Sequence, residues 1–231
     1  MSCGQIALGR VGIEPDNYYA SEIDKYAIAV TQHNYPGTVQ LGDITKWREW
    51  DIDWSSIDLV MGGSPCQGFS FAGKQLNFND PRSKLFFDFV DILAHVKSFN
   101  KDVRFLLENV KMKKKSQDVI SSHLMCEPVF INSSLVSAQN RNRLYWTNIS
   151  DVSQPKDRGI CWGDVREVGV NSYYYTEAAM QWLARHSQRK NKTLDVWQDG
   201  KKAQMVEASH YKKYSSQRFF GVCDFPVLPN V

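Results

Sequence analysis

The chain has 231 residues, 42% of them hydrophobic, with 28 Lys+Arg against 25 Asp+Glu. It can therefore bury one substantial core, and it is neither an acidic tail nor a polybasic arm. No apolar run is long enough to span a bilayer, no signal peptide opens the chain, and its five scattered cysteines (Cys3, Cys66, Cys126, Cys161, Cys223) lack paired metal spacing. These features exclude a membrane span and point to a reducing compartment, away from a disulfide framework and from zinc.

In chain order, Gly4 to Gly12 reads as a glycine turn followed by a short helix, and Asn17 to Glu22 as a strand ending in an acid. A helix over 25–34 and a third strand and loop over Thr38 to Ile44 complete the start of a doubly wound nucleotide-binding arrangement. A carboxylate at the end of the second strand can accept both hydroxyls of a ribose, which makes Glu22 the ribose candidate and Ile23 a wall for adenine. Asp43 can accept from the adenine amine, and it can equally cap a helix ahead of Thr45-Lys46-Trp47.

Ile57-Asp58-Leu59-Val60-Met61 is an apolar strand that stops at Gly62-Gly63 and runs into Ser64-Pro65-Cys66-Gln67-Gly68-Phe69-Ser70. Ligands of open α/β sheets sit at the carboxyl ends of such strands, and Pro65 biases Ser64 away from helix, so Cys66 is expected on a defined loop at a site. A helix over about 83–98 carries Leu85, Phe86, Phe89, Val90, Leu93 and Val96 on one face. Arg104 to Val110 is a second apolar strand, ending in Glu108-Asn109-Val110. Pro128 to Ile131 and Arg143 to Ile149 are expected as a closing antiparallel pair, and Ser137-Ala138-Gln139-Asn140-Arg141-Asn142-Arg143 places two guanidinium groups on one face of an extended segment. Beyond Cys161 the pattern is irregular apart from a helix expected over 176–189.

Pro-Cys, Glu-Asn-Val and Gln-x-Arg-x-Arg, in that order and each at a strand edge, resemble the DNA cytosine-5 methyltransferases. The resemblance covers residues 1–149 with specific motifs and the remainder loosely. It implies S-adenosylmethionine as methyl donor, double-stranded DNA as partner, a doubly wound mostly parallel sheet, no metal, and a cytoplasmic location, or a nuclear one in a eukaryote. It implies a catalytic set of Cys66, Glu108, Arg141 and Arg143. Cys66 adds to carbon 6 of cytosine, Glu108 donates to N3, Arg143 faces O2, and Arg141 braces the carboxylate and the catalytic loop. Free cysteine is only a few per cent ionised at neutral pH, so nearby cations or backbone donors would help it react. The cofactor set implied is Cys3, Gly4, Glu22, Ile23, Asp43, Ile44, Pro65 and Leu85, and the DNA set is Gln67, Ser70, Gln139, Lys113 and Lys114.

The same resemblance divides the chain into a catalytic domain over 1–150 and a target-recognition region over 151–231, and it leads one to expect a further strand before Met1-Ser2-Cys3-Gly4 and a closing segment after the carboxyl end. Residues 151–231 hold 12 Lys+Arg and 9 Asp+Glu, interleaved with aromatics in Trp182 to Lys192 and Tyr211-Lys212-Lys213-Tyr214. That interval is expected to face DNA, and Lys111 to Lys115 to contact phosphates. An RNA cytosine methyltransferase and a non-catalytic DNA-binding paralogue are the alternatives.

Overall fold

A computed structural model describes residues 2–64, 81–166, 181, 185 and 199–203. The described chain is a mixed α/β structure with parallel sheet elements. Its elements are α1 (Cys3–Arg10), β1 (Tyr19–Ala20), α2 (Lys25–Asn34), β2 (Val39–Gln40), β3 (Leu59–Gly62), α3 (Pro81–Phe99), β4 (Arg104–Val110), α4 (Lys114–Leu124), β5 (Val129–Asn132) and β6 (Asn142–Thr147). β1 pairs parallel with β2, Tyr19 opposite Val39. The strands β3-β4-β6-β5 form a second sheet in that order, and β3 and β4 run parallel with Leu59 opposite Arg104 and Gly62 opposite Leu107.

Local chemistry sets the boundaries. Asp24 accepts from the amides of Tyr26 and Ala27 at 2.8 and 2.9 Å and so starts α2 at Lys25; the helix ends before Tyr35, which has left helical backbone (φ −138°, ψ 74°), as the proline after it favours. α1 begins at Cys3, so Gly4 lies inside a helix and not in the expected turn. The helix packs close there: a Cβ on Gly4 would lie 2.6 Å from the Tyr18 hydroxyl and against the end of the Met61 side chain, so a larger residue would make those two side-chain ends give way. The strand expected over 17–22 is reduced to two paired residues, and so is the one over 38–44, where Ile44 already opens a 3₁₀ turn (Ile44–Glu49) capped by Asp43. The strand expected from Ile57 starts at Leu59, because Trp54–Ser56 form a short 3₁₀ turn ahead of it.

The chain falls into two compact units: 1–129 with 144–152, and 130–143 with 153–231. The core of the first is Phe86, Phe89, Ile92, Leu93 and Val96 of α3, Phe105 and Leu107 of β4, Met112 just ahead of α4, Ile120 and Leu124 of α4, and Leu144 and Trp146 of β6, with Trp47 beside them. Ile92 widens the helix face read from the sequence, where Leu85 and Val90 are only half-buried. Trp146, fully buried, donates its indole N–H to the Ser121 hydroxyl at 3.0 Å, the partner a buried indole needs. Asn148 accepts from the Phe105 amide and donates to the Val103 carbonyl (2.8 and 2.9 Å), fastening the start of β4.

The second unit is built around 133–143. Ala203 bridges to Gln139 in parallel fashion, the Arg158 amide donates to the Leu135 carbonyl at 2.8 Å, and the Trp162 amide to the Lys201 carbonyl at 2.8 Å. Of the helix expected over 176–189, Gln181 and Arg185 are described, both helical.

Candidate active site

The parallel register of β3 and β4 brings two loop entrances to one sheet edge. Gly62 faces Leu107, so Gly63-Ser64, just past the end of β3, run beside Glu108-Asn109 near the end of β4. A Cβ on Gly63 would lie 3.4 Å from Glu108 Oε2, so the half-buried carboxylate rests over that glycine. Asn109 is 1% exposed. Its amide donates to the Ser64 hydroxyl at 3.1 Å and lies 3.5 Å from the Ser64 carbonyl, while its Oδ1 accepts from the Val110 amide at 2.8 Å. The amide of Glu-Asn-Val is thus the tether that holds the residue before Pro65. The sequence marked Asn109 as a strand-end polar group, and nothing in it identified Ser64 as the partner. Pro65, Cys66, Gln67 and Ser70 lie outside the described residues, as do Trp182 to Lys192 apart from Arg185, and Tyr211 to Tyr214.

β3 can end this close to α3 because Gly62 has no side chain. A Cβ there would sit 2.6 and 2.7 Å from ring carbons of Phe89. Phe89 and Leu107 thus fill the space a side chain at Gly62 would occupy.

The second group of expected residues gathers at the ends of β1 and β2. One oxygen of Glu22 accepts from the amides of Ile23 and Asp24, at 2.8 and 2.9 Å, which fixes the carboxylate and leaves Oε2 for a ligand. Ile23 beside it is 75% exposed. An oriented carboxylate oxygen next to an open apolar surface suits a diol joined to a flat ring, so the residues present fit the nucleoside half of S-adenosylmethionine. Ser21 donates to the Gly42 carbonyl at 2.7 Å and joins the two strand ends. Asp43 is the helix cap that the sequence left open: Oδ1 accepts from the Thr45 amide and hydroxyl, both at 2.9 Å, and these bonds hold its carboxyl below the usual range. Its Oδ2 stays available. Ile44 packs on the core, Cys3 is exposed, and Leu85 is half-buried.

In the second unit Arg143 is 8% exposed and donates from Nη1 to the Asn142 carbonyl at 2.8 Å. The Arg141 amide donates to Asn132 Oδ1 at 3.0 Å, and the Gln139 carbonyl accepts from Ser133 Oγ at 2.8 Å. The Gln-x-Arg-x-Arg segment is a hydrogen-bonded turn leading into β6, with Arg143 inside the strand.

Of the lysines expected at phosphates, Lys113 is exposed just ahead of α4, while Lys114 already pairs with Asp118 at 2.9 Å and Glu127 at 3.4 Å. The hydrogen bond to Asp118 raises its pKa. These groups are all exposed, and such pairs are weak enough for a phosphate to displace them.

Residues 1–217 match the family model for C-5 cytosine-specific DNA methylases, so the chain belongs to that family. It is 35% identical over 173 residues to the type II methyltransferase M.NlaX of Neisseria lactamica, covering 68% of this chain and 53% of that protein. It is 46% identical over 156 residues to M1.ScrFI of Lactococcus lactis subsp. cremoris (59% and 38%), and 45% identical over 93 residues to M.NlaIV of Neisseria lactamica (40% and 21%). The chain thus spans between about a fifth and a half of the length of these relatives.

Proposed function

We propose that this chain carries the base-modifying centre of a DNA cytosine-5 methyltransferase, moving a methyl group from S-adenosylmethionine to carbon 5 of a cytosine flipped out of double-stranded DNA. The observation that supports this most is the Glu108 carboxylate over Gly63, with Asn109 holding Ser64, at the entrance to Pro65-Cys66. Flipping costs a few kcal/mol of unstacking, to be recovered from contacts to the extracted base.

The Cys66 thiolate adds to carbon 6, the ring electrons move toward N3 and O2, and the Glu108 carboxyl, as general acid, donates a proton to N3. Arg143 supports the charge at O2, and Arg141 braces the carboxylate from its turn. Carbon 5 is then nucleophilic. S-adenosylmethionine, when bound, supplies a methyl group on a positively charged sulfur. After transfer the carbon 5 proton departs to a base, the carbon 6–sulfur bond breaks, Cys66 leaves as thiolate and N3 returns its proton to Glu108. Accepting from the exocyclic amine with its other oxygen, Glu108 also rejects thymine.

Glu22 Oε2 takes the ribose hydroxyls, Ile23 flanks the adenine, and Asp43 Oδ2 accepts from its amine; Cys3, Gly4, Ile44, Pro65 and Leu85 complete the cofactor set. We read β1–β2 and β3–β4 as parts of one doubly wound sheet, 1–150 as the catalytic domain and 151–231 as the recognition side. Gln67, Ser70, Gln139, Lys113 and Lys114 face the DNA. DNA is preferred to RNA as substrate because the matching family is described by DNA.

A duplex carrying 5-fluorocytosine tests the reading, since fluorine cannot depart as the proton does and the adduct persists. With S-adenosylmethionine the protein should form a covalent complex, Cys66→Ser should form none, and replacements of Cys3, Cys126, Cys161 and Cys223 should not matter. Equal trapping by Cys66→Ser refutes the assignment, and trapping of RNA but not DNA reassigns the substrate.

A further inference from the structure

Lys202 takes no part in the chemistry above, yet its ammonium sits where three backbone carbonyls converge. It donates to the oxygens of Ser134 at 2.6 Å, Ile160 at 2.6 Å and Ser137 at 3.4 Å, with the Asp157 carboxylate 3.6 Å away and its own side chain only 20% exposed. An ammonium has three N–H donors and no acceptor, and here carbonyls take all three. A lysine that merely solvates a surface has no such arrangement.

The next residue continues the grip. The Ala203 amide donates to the Ala138 carbonyl at 2.6 Å and its carbonyl accepts from the Asn140 amide at 2.9 Å, both alanines being buried. Within the turn, Ser137 Oγ donates to the Ser133 carbonyl at 2.9 Å and accepts from the Gln139 amide at 3.3 Å. The turn that launches Gln139, Arg141 and Arg143 is therefore closed by its own serines on one side and by Lys202-Ala203, more than sixty residues later, on the other.

We propose that Lys202 is a positioning residue for methyl transfer: by drawing the carbonyls of Ser134, Ser137 and Ile160 onto one ammonium, it sets the register in which Arg141 and Arg143 are presented to the base. The inference rests on the reading of those two arginines given above. A compact ammonium suits carbonyls converging from three directions, whereas a thioether offers no donor at all and leaves each carbonyl without that partner. A misplacement on the order of 1 Å of a group that must meet a reacting base is enough to cost about 10²-fold in rate.

The test uses the full chain with Lys202→Met, Lys202→Gln and Lys202→Arg, beside Arg141→Ala and Arg143→Ala. Measured are cofactor affinity, the salt dependence of DNA affinity, and the single-turnover rate of trapping on 5-fluorocytosine duplex at saturating DNA, normalised to the trapped endpoint so that unfolded molecules do not count. Lys202→Met should slow trapping by about 10- to 100-fold with cofactor affinity and the slope of DNA affinity against salt unchanged, and Lys202→Arg, which keeps donors but in a planar fork, should recover only part of the rate. If Lys202→Met does not fold, Lys202→Gln carries the test with a smaller loss of the same kind. A normalised rate within about twofold of wild type, while the arginine variants are slow, overturns the proposal and leaves the arginine assignment standing. A flattened salt slope with an unchanged rate also overturns it, because Lys202 would then be a phosphate contact. Wild-type rates in both arginine variants remove the reading beneath it.

Discussion

Replacing Asn109 with alanine removes the only described side chain that joins the Glu108 strand end to the residue before Pro65. Two well-formed hydrogen bonds disappear, Nδ2 to Ser64 Oγ at 3.1 Å and the Val110 amide to Oδ1 at 2.8 Å, in a place 1% exposed. At about 1 kcal/mol net each, plus a further 1 to 2 kcal/mol for a half-buried amide left without its acceptor, the loss should come to about 3 to 4 kcal/mol. Ser64→Ala breaks only the first bond and should cost about 1 kcal/mol. The double variant should then fall short of the sum by about 0.5 to 1.5 kcal/mol, the coupling expected of two groups in direct contact. Urea unfolding of the four proteins measures the cycle, and the trapping rate on 5-fluorocytosine duplex, normalised to the endpoint, shows whether the tether also serves the reaction. Strict additivity, or an Asn109→Ala loss under about 0.5 kcal/mol, would mean that the bond seen between β3 and β4 does not hold that turn in solution.

Glu22→Ala should weaken S-adenosylmethionine binding in calorimetry, while Glu108→Gln should leave binding nearly intact and slow methylation by about 10²-fold or more; equal losses of affinity would show that the two carboxylates do not divide the work as drawn. Gly62→Ala should destabilise the protein by about 1 to 3 kcal/mol, because the added methyl meets the buried Phe89 ring, and an unchanged urea midpoint would contradict that contact. Asp43 has its folded pKa lowered by its bonds to Thr45, so its capping contribution is present above the ordinary aspartate pKa of about 3.9 and is lost as pH falls through the folded value. Asp43→Asn should flatten the fall of the thermal midpoint in that acid window and leave neutral pH little changed, as a pH series of melting curves can record.

What could be read from the sequence was whatever local chemistry decides. α2 runs over the 25–34 expected because Asp24 caps it and Pro36 follows it, and β4 runs over the expected 104–110 because its apolar run is bounded by charge on both sides. The short pairing of β1 and β2 was not legible, since strand length is set by where a partner's backbone is available and not by the apolar run itself. The helical setting of Gly4 was not legible from its own stretch of sequence, and the cap at Asp43 stood as one of two readings until Thr45 was seen to bind it. At the site, Glu108 announced itself as a carboxylate at a strand end. Its seat over Gly63, the Ser64–Asn109 bond and the Lys202 cage join residues that no window of sequence contains, and Lys201-Lys202 reads as ordinary surface charge. The Phe89–Gly62 contact shows the same thing from the apolar side.

The bond between Asn109 and Ser64 spans 45 positions and that from Lys202 to Ser134 spans 68. Closing a flexible loop of 45 residues costs about 3 kcal/mol beyond a constant term, more than one net hydrogen bond returns. Neither link can form first and recruit the rest; each needs the pairing of β3 with β4, or the bridge of Gln139 to Ala203, already in place. Both contacts should therefore form late in folding, after the pairing that brings their partners together. A nascent chain released before Lys202 is synthesised should leave the carbonyls of Ser134, Ser137 and Ile160 without the ammonium that gathers them.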